Sequence, residues 1–417
     1  MKKILLLSAS LALSGCASFG EGLAGAFLKH QDEKEDLRQC KIYGKSFSGM
    51  ESSFAKAGDT VKVMMVHGVG THVPGYSTHF QEKLSTELAL ALKSARYKEI
   101  KLVNQEFPEK DLGVLRVRRL IDKEETREML FYELTWSAIT NPEKEKIRYD
   151  TSGEYSYDRA EVNQMLKQFS NDTSPDPMIY LGKSRNEILA SFRSAFCWMV
   201  ENDWDSLPAE GQNYCAISTD SLKYLAEDEY AIISHSLGSR IVIDGMQDIA
   251  KRVSEVGAGN PSSAESQFIT AFQKKEVPFY LMSNQIPLLE VGEEAPTVTN
   301  QIDDYCIIGS EHYDKRLVAK TSIMAFSDPN DLLSYAIPQQ FAQYHFDSRL
   351  CAEVTNININ VAEVIDLFGM GKFANPLTAH TGYDTDDRVV ALIAKGIGTK
   401  HTAGIVSERC KWTEYVD

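Results

Sequence analysis

Tyr230-Ala231-Ile232-Ile233-Ser234-His235-Ser236-Leu237-Gly238-Ser239-Arg240 runs from a short apolar strand straight into an amphipathic helix that reaches Val253. A turn that sharp forces its central residue, Ser236, into a strained backbone and lifts the side chain above the sheet. Strand and helix approach closely there, so small residues are needed two positions before and two after. Ser234 and Gly238 meet that need. The helix N-terminus also points free amide hydrogens to where negative charge develops when a serine attacks a carbonyl. Serine at a helix N-cap is common for structural reasons alone. The strand before and the helix after set this segment apart from that use. His235, next to Ser236, faces elsewhere and reads as structural.

Outward from this segment, strands and helices alternate. Val61–Val66 is an apolar strand ending in His67-Gly68-Val69-Gly70, a glycine turn. Leu84, Leu88 and Leu92 place a helix over Phe80–Leu92. Val114–Ile121 and Met129–Trp136 read as two strands around a charged turn. Residues 138–185, rich in charged residues, Tyr, Ser and Asp, read as an insertion or lid. Asn186–Val200 and Tyr214–Leu225 have helical spacing. Val277–Ser283, Tyr305–Ile308 and Thr321–Ser327 are strand candidates, and Thr355–Val361 alternates as a half-buried strand does. Arg388–Ala394 reads as a closing helix. The order implies an α/β fold, a mostly parallel sheet covered by helices on both faces, with function at the carboxyl ends of the strands.

The Ser234-His-Ser-Leu-Gly238-Ser239 segment resembles the nucleophile elbow of α/β-hydrolases, in the form found in many lipases and esterases. It departs from the family's pattern at Ser234, where glycine is usual. The resemblance covers residues 61–95 and 229–400. It implies the α/β-hydrolase fold, Ser236 as nucleophile, and an oxyanion hole built from the backbone N–H of Leu237 and one from His67-Gly68-Val69-Gly70, which is similar to the H-G-x-G loops of lipases. Val69 is the first expectation for that second donor and Gly68 the next, with His67 a brace for the loop.

A neutral serine hydroxyl needs a histidine to take its proton and an acid to orient that histidine. The family's chain order is Ser, acid, His. Of the four histidines after Ser236, His380 in Thr378-Ala-His380-Thr-Gly-Tyr383 lies in a polar loop just before the last helix, as the family's catalytic histidine does. The acid comes from Asp328-Pro-Asn-Asp331-Leu-Leu-Ser-Tyr-Ala-Ile-Pro338, which resembles the acid loop of fungal-type lipases and aligns Asp331. Asp328 is the alternative, with the unused aspartate capping the short helix that follows. Phe279–Pro287 reads as a plain core strand and its turn.

The start of the chain has a different character. Lys2 and Lys3 precede an apolar run, Ile4–Leu13, too short to span a bilayer, and then Leu13-Ser14-Gly15-Cys16. This resembles the lipobox of bacterial lipoproteins, implying cleavage after residue 15 and a diacylglycerol on Cys16. Ala17 rather than Asp follows, which in such lipoproteins implies the outer membrane. Residues 16–60 read as a tether with peripheral structure, and 61–417 as the hydrolase domain. The formal charge of −15, without a basic run, argues against nucleic acid as a partner. Membrane affinity would then come from the acyl anchor. Six cysteines besides Cys16 imply disulfides in an exported protein, in any of fifteen pairings, and no spacing suggests a metal site. The expected activity is ester or lipid hydrolysis without cofactor or metal. A thioesterase or acyltransferase shares the same machinery, and a non-catalytic binding or scaffolding module shares the fold.

Overall fold

The structure, a computed structural model, describes residues 38–414 except 56, 57, 59, 94, 95, 152–157, 220, 257–262 and 367–371. The expected signal peptide, Cys16 and most of the expected tether lie outside the described residues.

Fourteen strands are described: β1 (Cys40–Tyr43), β2 (Thr60–Val66), β3 (Ala91–Leu92), β4 (Lys98–Leu102), β5 (Val114–Ile121), β6 (Glu128–Thr135), β7 (Glu210–Asn213), β8 (Glu229–His235), β9 (Phe279–Met282), β10 (Thr321–Ser327), β11 (Ala352–Ile359), β12 (Val364–Asp366), β13 (Lys372–Ala374) and β14 (Cys410–Thr413). Twelve form one sheet in the order β14-β1-β11-β10-β9-β8-β2-β6-β5-β4-β7, with β3 beside β5. Its centre, from β11 to β6, is parallel throughout. The pairs β5–β6, β4–β5 and β1–β11 are antiparallel. The protein is therefore α/β, with a mostly parallel central sheet.

Helices cover both faces because the central strands are apolar on both. Helices Arg185–Glu201, Leu237–Val256 and Ala264–Phe272 pack on one face, where Met64, Val66, Tyr132, Ile232, Ile241 and Met246 meet. Helices Thr78–Glu87 and Asp387–Lys395 pack on the other, over Val63, Met65, Ile233, Phe326 and Leu392. Fully burying each such side chain contributes roughly 1.5–3 kcal/mol. From β2 the parallel pairing grows outward to β6, whereas from β8 it grows the other way through β9, β10 and β11. The divide between β2 and β8 is the switch point at which parallel sheets open a crevice.

Several expectations change. Tyr214–Leu225 is helical only from Leu222, within Leu222–Glu227. Its Ser and Thr residues compete for backbone partners, Ser221 is bound by Glu201, and Cys215 is held by a disulfide to Cys197. Tyr305–Ile308 is not a strand: Tyr305 and Cys306 end the short helix Ile302–Cys306. Four apolar residues do not distinguish the two. The Asp387–Lys395 helix does not close the chain, since helix Gly404–Arg409 and β14 follow. Within the segment expected as tether, Cys40–Tyr43 is an integral strand between β11 and β14, bonded through Cys40 to Cys410. The third disulfide joins Cys306 to Cys351. Residues 138–185 carry helices Asn141–Arg148, Glu161–Thr173 and Pro175–Leu181.

Candidate active site

Ser236 lies between β8 and the Leu237–Val256 helix with φ of 55°, a left-handed conformation that an L-serine adopts only under constraint. Two glycines make room for it. A Cβ on Gly238 would lie 2.4 Å from the Val66 carbonyl oxygen, and one on Gly68 would lie 2.6 Å from Ser236 Cβ. Ser236 N–H donates to Met282 O at 2.9 Å, and Ser239 Oγ to Ser236 O at 2.7 Å, so the turn is fixed on both sides.

His380 is not in an open loop. It lies on the short helix Pro376–Thr381, which Asn375 caps by accepting from Leu377 N–H. Its Nε2 is 3.0 Å from Ser236 Oγ, and its Nδ1 donates toward Asp331 Oδ1 and Oδ2 at 3.0 and 3.1 Å. A carboxylate on Nδ1–H leaves Nε2 as the acceptor facing the serine hydroxyl. Burial alone would push the Asp331 carboxyl up. The hydrogen bond and charge of His380, with Leu333 N–H and the Ser283 hydroxyl, outweigh it and hold Asp331 below the usual carboxylate range. Ser236 is 1% exposed, and the His380 side chain keeps 12% of its exposure.

Asp328 has a separate set of partners. Its carboxylate accepts from Val361 N–H, Ala362 N–H and Asn330 N–H, which ties the end of β10 to the chain leaving β11. It caps no helix, because the next begins only at Gln339.

The glycine loop after β2 is held from both sides. His67 Nε2 accepts from Trp136 N–H at 3.1 Å, so its Nδ1 carries the proton and donates to Gly68 O at 2.8 Å. Burial holds His67 well below the ordinary histidine range, consistent with this neutral form. On the other side, Gly70 N–H donates to buried Asp176 at 2.6 Å, and Thr71 N–H to Asp172 at 2.9 Å. Lys144 bridges the two aspartates. All three belong to the inserted helices, whose packing on this loop was not legible from their composition. The N–H groups of Val69 and Leu237 have no hydrogen-bond partner among the described residues.

Two contributors escaped the sequence reading. Ser283, expected only as the turn after a core strand, has φ of 50°. Its Oγ donates to Asp331 Oδ2 at 2.7 Å and lies 2.9 Å from His380 Nδ1. His235 is not turned away. Its Nε2 is 2.7 Å from the His380 carbonyl oxygen, and burial together with nearby His380 lowers it to about 3, so the neutral ring donates to that oxygen. Its position beside Ser236 was the only available signal. An apolar cavity of about 220 Å³ lies apart from these residues, lined by Phe196, Val200, Ile249, Val253 and Phe268. Ile249 is 13 residues along the helix from Ser236, about 20 Å away.

No protein-family model matches the chain, and no curated protein or solved structure matches it either.

Proposed function

We propose that this protein is a serine ester hydrolase of the α/β-hydrolase fold. The observation that carries the reading is the Ser236 Oγ, His380 Nε2, His380 Nδ1, Asp331 line, with both contacts near 3.0 Å and drawn from three distant parts of the chain. Ser236 Oγ attacks the acyl carbon as its proton passes to His380 Nε2. Asp331 stabilises the imidazolium without taking its proton. The N–H groups of Leu237 and Val69 receive the oxyanion, with Gly68 the alternative donor. The tetrahedral intermediate then expels the alcohol, which takes the proton from Nε2, and leaves an acyl-serine. Water repeats the sequence in reverse and releases the acid. These steps need no cofactor.

The N-terminal lipobox-like segment supports attachment of the protein to the bacterial envelope through a diacylglycerol on Cys16, at the outer membrane. The Cys40–Cys410, Cys197–Cys215 and Cys306–Cys351 disulfides accord with an oxidising compartment.

Hydrolysis of a series of p-nitrophenyl esters tests the activity. The wild type is expected to turn over part of the series, and Ser236→Ala to lose about 10⁴-fold or more in kcat. Turnover unchanged in Ser236→Ala, or absent from the wild type across esters and thioesters, contradicts the proposal.

A further inference from the structure

The chain enters the described body at the same end of the sheet as Ser236. β1 runs antiparallel to β11, with Cys40 opposite Ile359, the last residue of that strand. β11, β10, β9 and β8 are parallel, so Ile359 and Ser236 lie at one rim. The residues just before β1 are fixed there. Gln39 N–H donates to Asn360, and Arg38 bonds Val361 O and Asp386. Val361 is also a partner of Asp328, at the root of the acid loop.

Exposed apolar side chains stand on segments that leave this end of the sheet. Val73, 59% exposed, follows the glycine loop, and Leu332, 74% exposed, follows Asp331 directly. Val291, 79% exposed, follows the helix after β9. Met178 is 67% exposed on the inserted helix whose Asp176 holds Gly70. Val162 and Leu166, each 50% exposed, share one face of the neighbouring inserted helix at i, i+4 spacing. They sit on separate loops and helices.

We propose that this rim is a docking face for a lipid surface, and that the substrate of Ser236 is an acyl ester drawn from that surface. The docking face rests on the proposed lipid anchor at Cys16, and the substrate rests on the hydrolase reading as well. Three observations favour lipid over a protein partner. The apolar side chains stand singly on several segments that leave the triad's end of the sheet, an arrangement that suits shallow insertion between headgroups. Residues 17–37 reach about 75 Å at most from a lipidated Cys16 and join the body at this rim, so no chain has to pass around the molecule to bring it to the bilayer. A second, apolar contact supplements an acyl anchor, since stable attachment takes two signals. The charge of −15 gives no attraction to anionic headgroups, so the preferred surface is zwitterionic.

The test is co-sedimentation of non-lipidated protein (Cys16→Ser, signal segment removed) with phosphatidylcholine vesicles. Wild type and Ser236→Ala are expected to partition alike. A variant carrying Val73→Ser, Met178→Ser, Val291→Ser and Leu332→Ser is expected to lose about tenfold or more in partition. Ile308→Ser removes a side chain 82% exposed beside the Cys306–Cys351 bridge, at the opposite end of β11, and is expected to bind as wild type does. No binding by the wild type, equal binding by the fourfold variant, or equal loss in Ile308→Ser overturns the docking face. Binding by Ser236→Ala without any esterase activity in the wild type keeps the face and overturns only the substrate.

Discussion

Two aspartates three residues apart leave β10 with the same charge and different partners. Asp331 points its carboxylate at His380 Nδ1, and Asp328 accepts three backbone N–H groups from its own loop and the one after β11. Asp331→Asn is expected to keep the fold and lower kcat by about 10⁴-fold, because an amide no longer selects the imidazole tautomer that accepts from Ser236. Asp328→Asn is expected to keep measurable turnover and lose roughly 1–3 kcal/mol of stability through weakened loop bonds. Kinetics and denaturant melts on the pair check this, and the reverse pattern would exchange the two roles. At this scale the sharp turn at Ser236 was legible because strand, small residues and helix coincide there. Ser283 was not, because a buried serine at the end of Phe279–Met282 looks like any strand terminus until Asp331 and His380, 48 and 97 residues on, are brought against it.

At the scale of elements, the helices inserted after β6 act on the glycine loop after β2. Asp176 is fully buried, and burial pushes its carboxyl up while Lys144 pulls it down. Removing the carboxylate leaves a buried lysine without its closest partner and Gly70 N–H without an acceptor. Asp176→Ala is expected to lose about 3–5 kcal/mol of stability, mostly from the orphaned cation. With Lys144→Met added, stability is expected to recover, while kcat stays below wild type because the loop is released. Thermal melts and ester kinetics on both variants check it, and full recovery of kcat in the double variant contradicts a role in holding the loop. The charged, polar character of residues 138–185 was readable from composition. Its contact with the loop was not, because it depends on Asp172 and Asp176 reaching residues 101 and 106 positions earlier. Strands β2, β5, β8 and β10 were readable because their apolar patterns are long or lead directly into a turn. The short runs at Tyr214 and Tyr305 were not, because disulfides and side-chain bonds set their shape.

Over the whole molecule, pH acts on three histidines enclosed around the site. Burial lowers His235 to about 3 and His72 to about 4, and holds His67 well below its ordinary value. An unfolded histidine takes up its proton near pH 6.5, where these three still refuse it. Their folded pKa values being depressed, the unfolded state binds more protons over that range. Stability therefore falls as pH drops from 6.5 toward 4, by up to about 2 kcal/mol per histidine between pH 6.5 and 5. Asp331 adds a loss of the same sign lower down, as pH falls through its depressed value. Urea midpoints at pH 7.5 and 5.0 check this, and equal midpoints contradict the enclosed neutral rings. The α/β class was legible at this scale from the alternation of strands and helices, whereas the placing of β1 and β14 beside β11 required the Cys40–Cys410 pairing that six thiols leave open. The central claim is that Ser236 is made nucleophilic by His380, and intact-protein mass spectrometry after exposure to a fluorophosphonate tests it most directly. The account predicts one phosphonyl adduct on Ser236 in the wild type, none in Ser236→Ala, and labelling slowed by about 10³-fold or more in His380→Ala. A wild type that stays unlabelled, or that labels at another residue while Ser236 remains free, contradicts it.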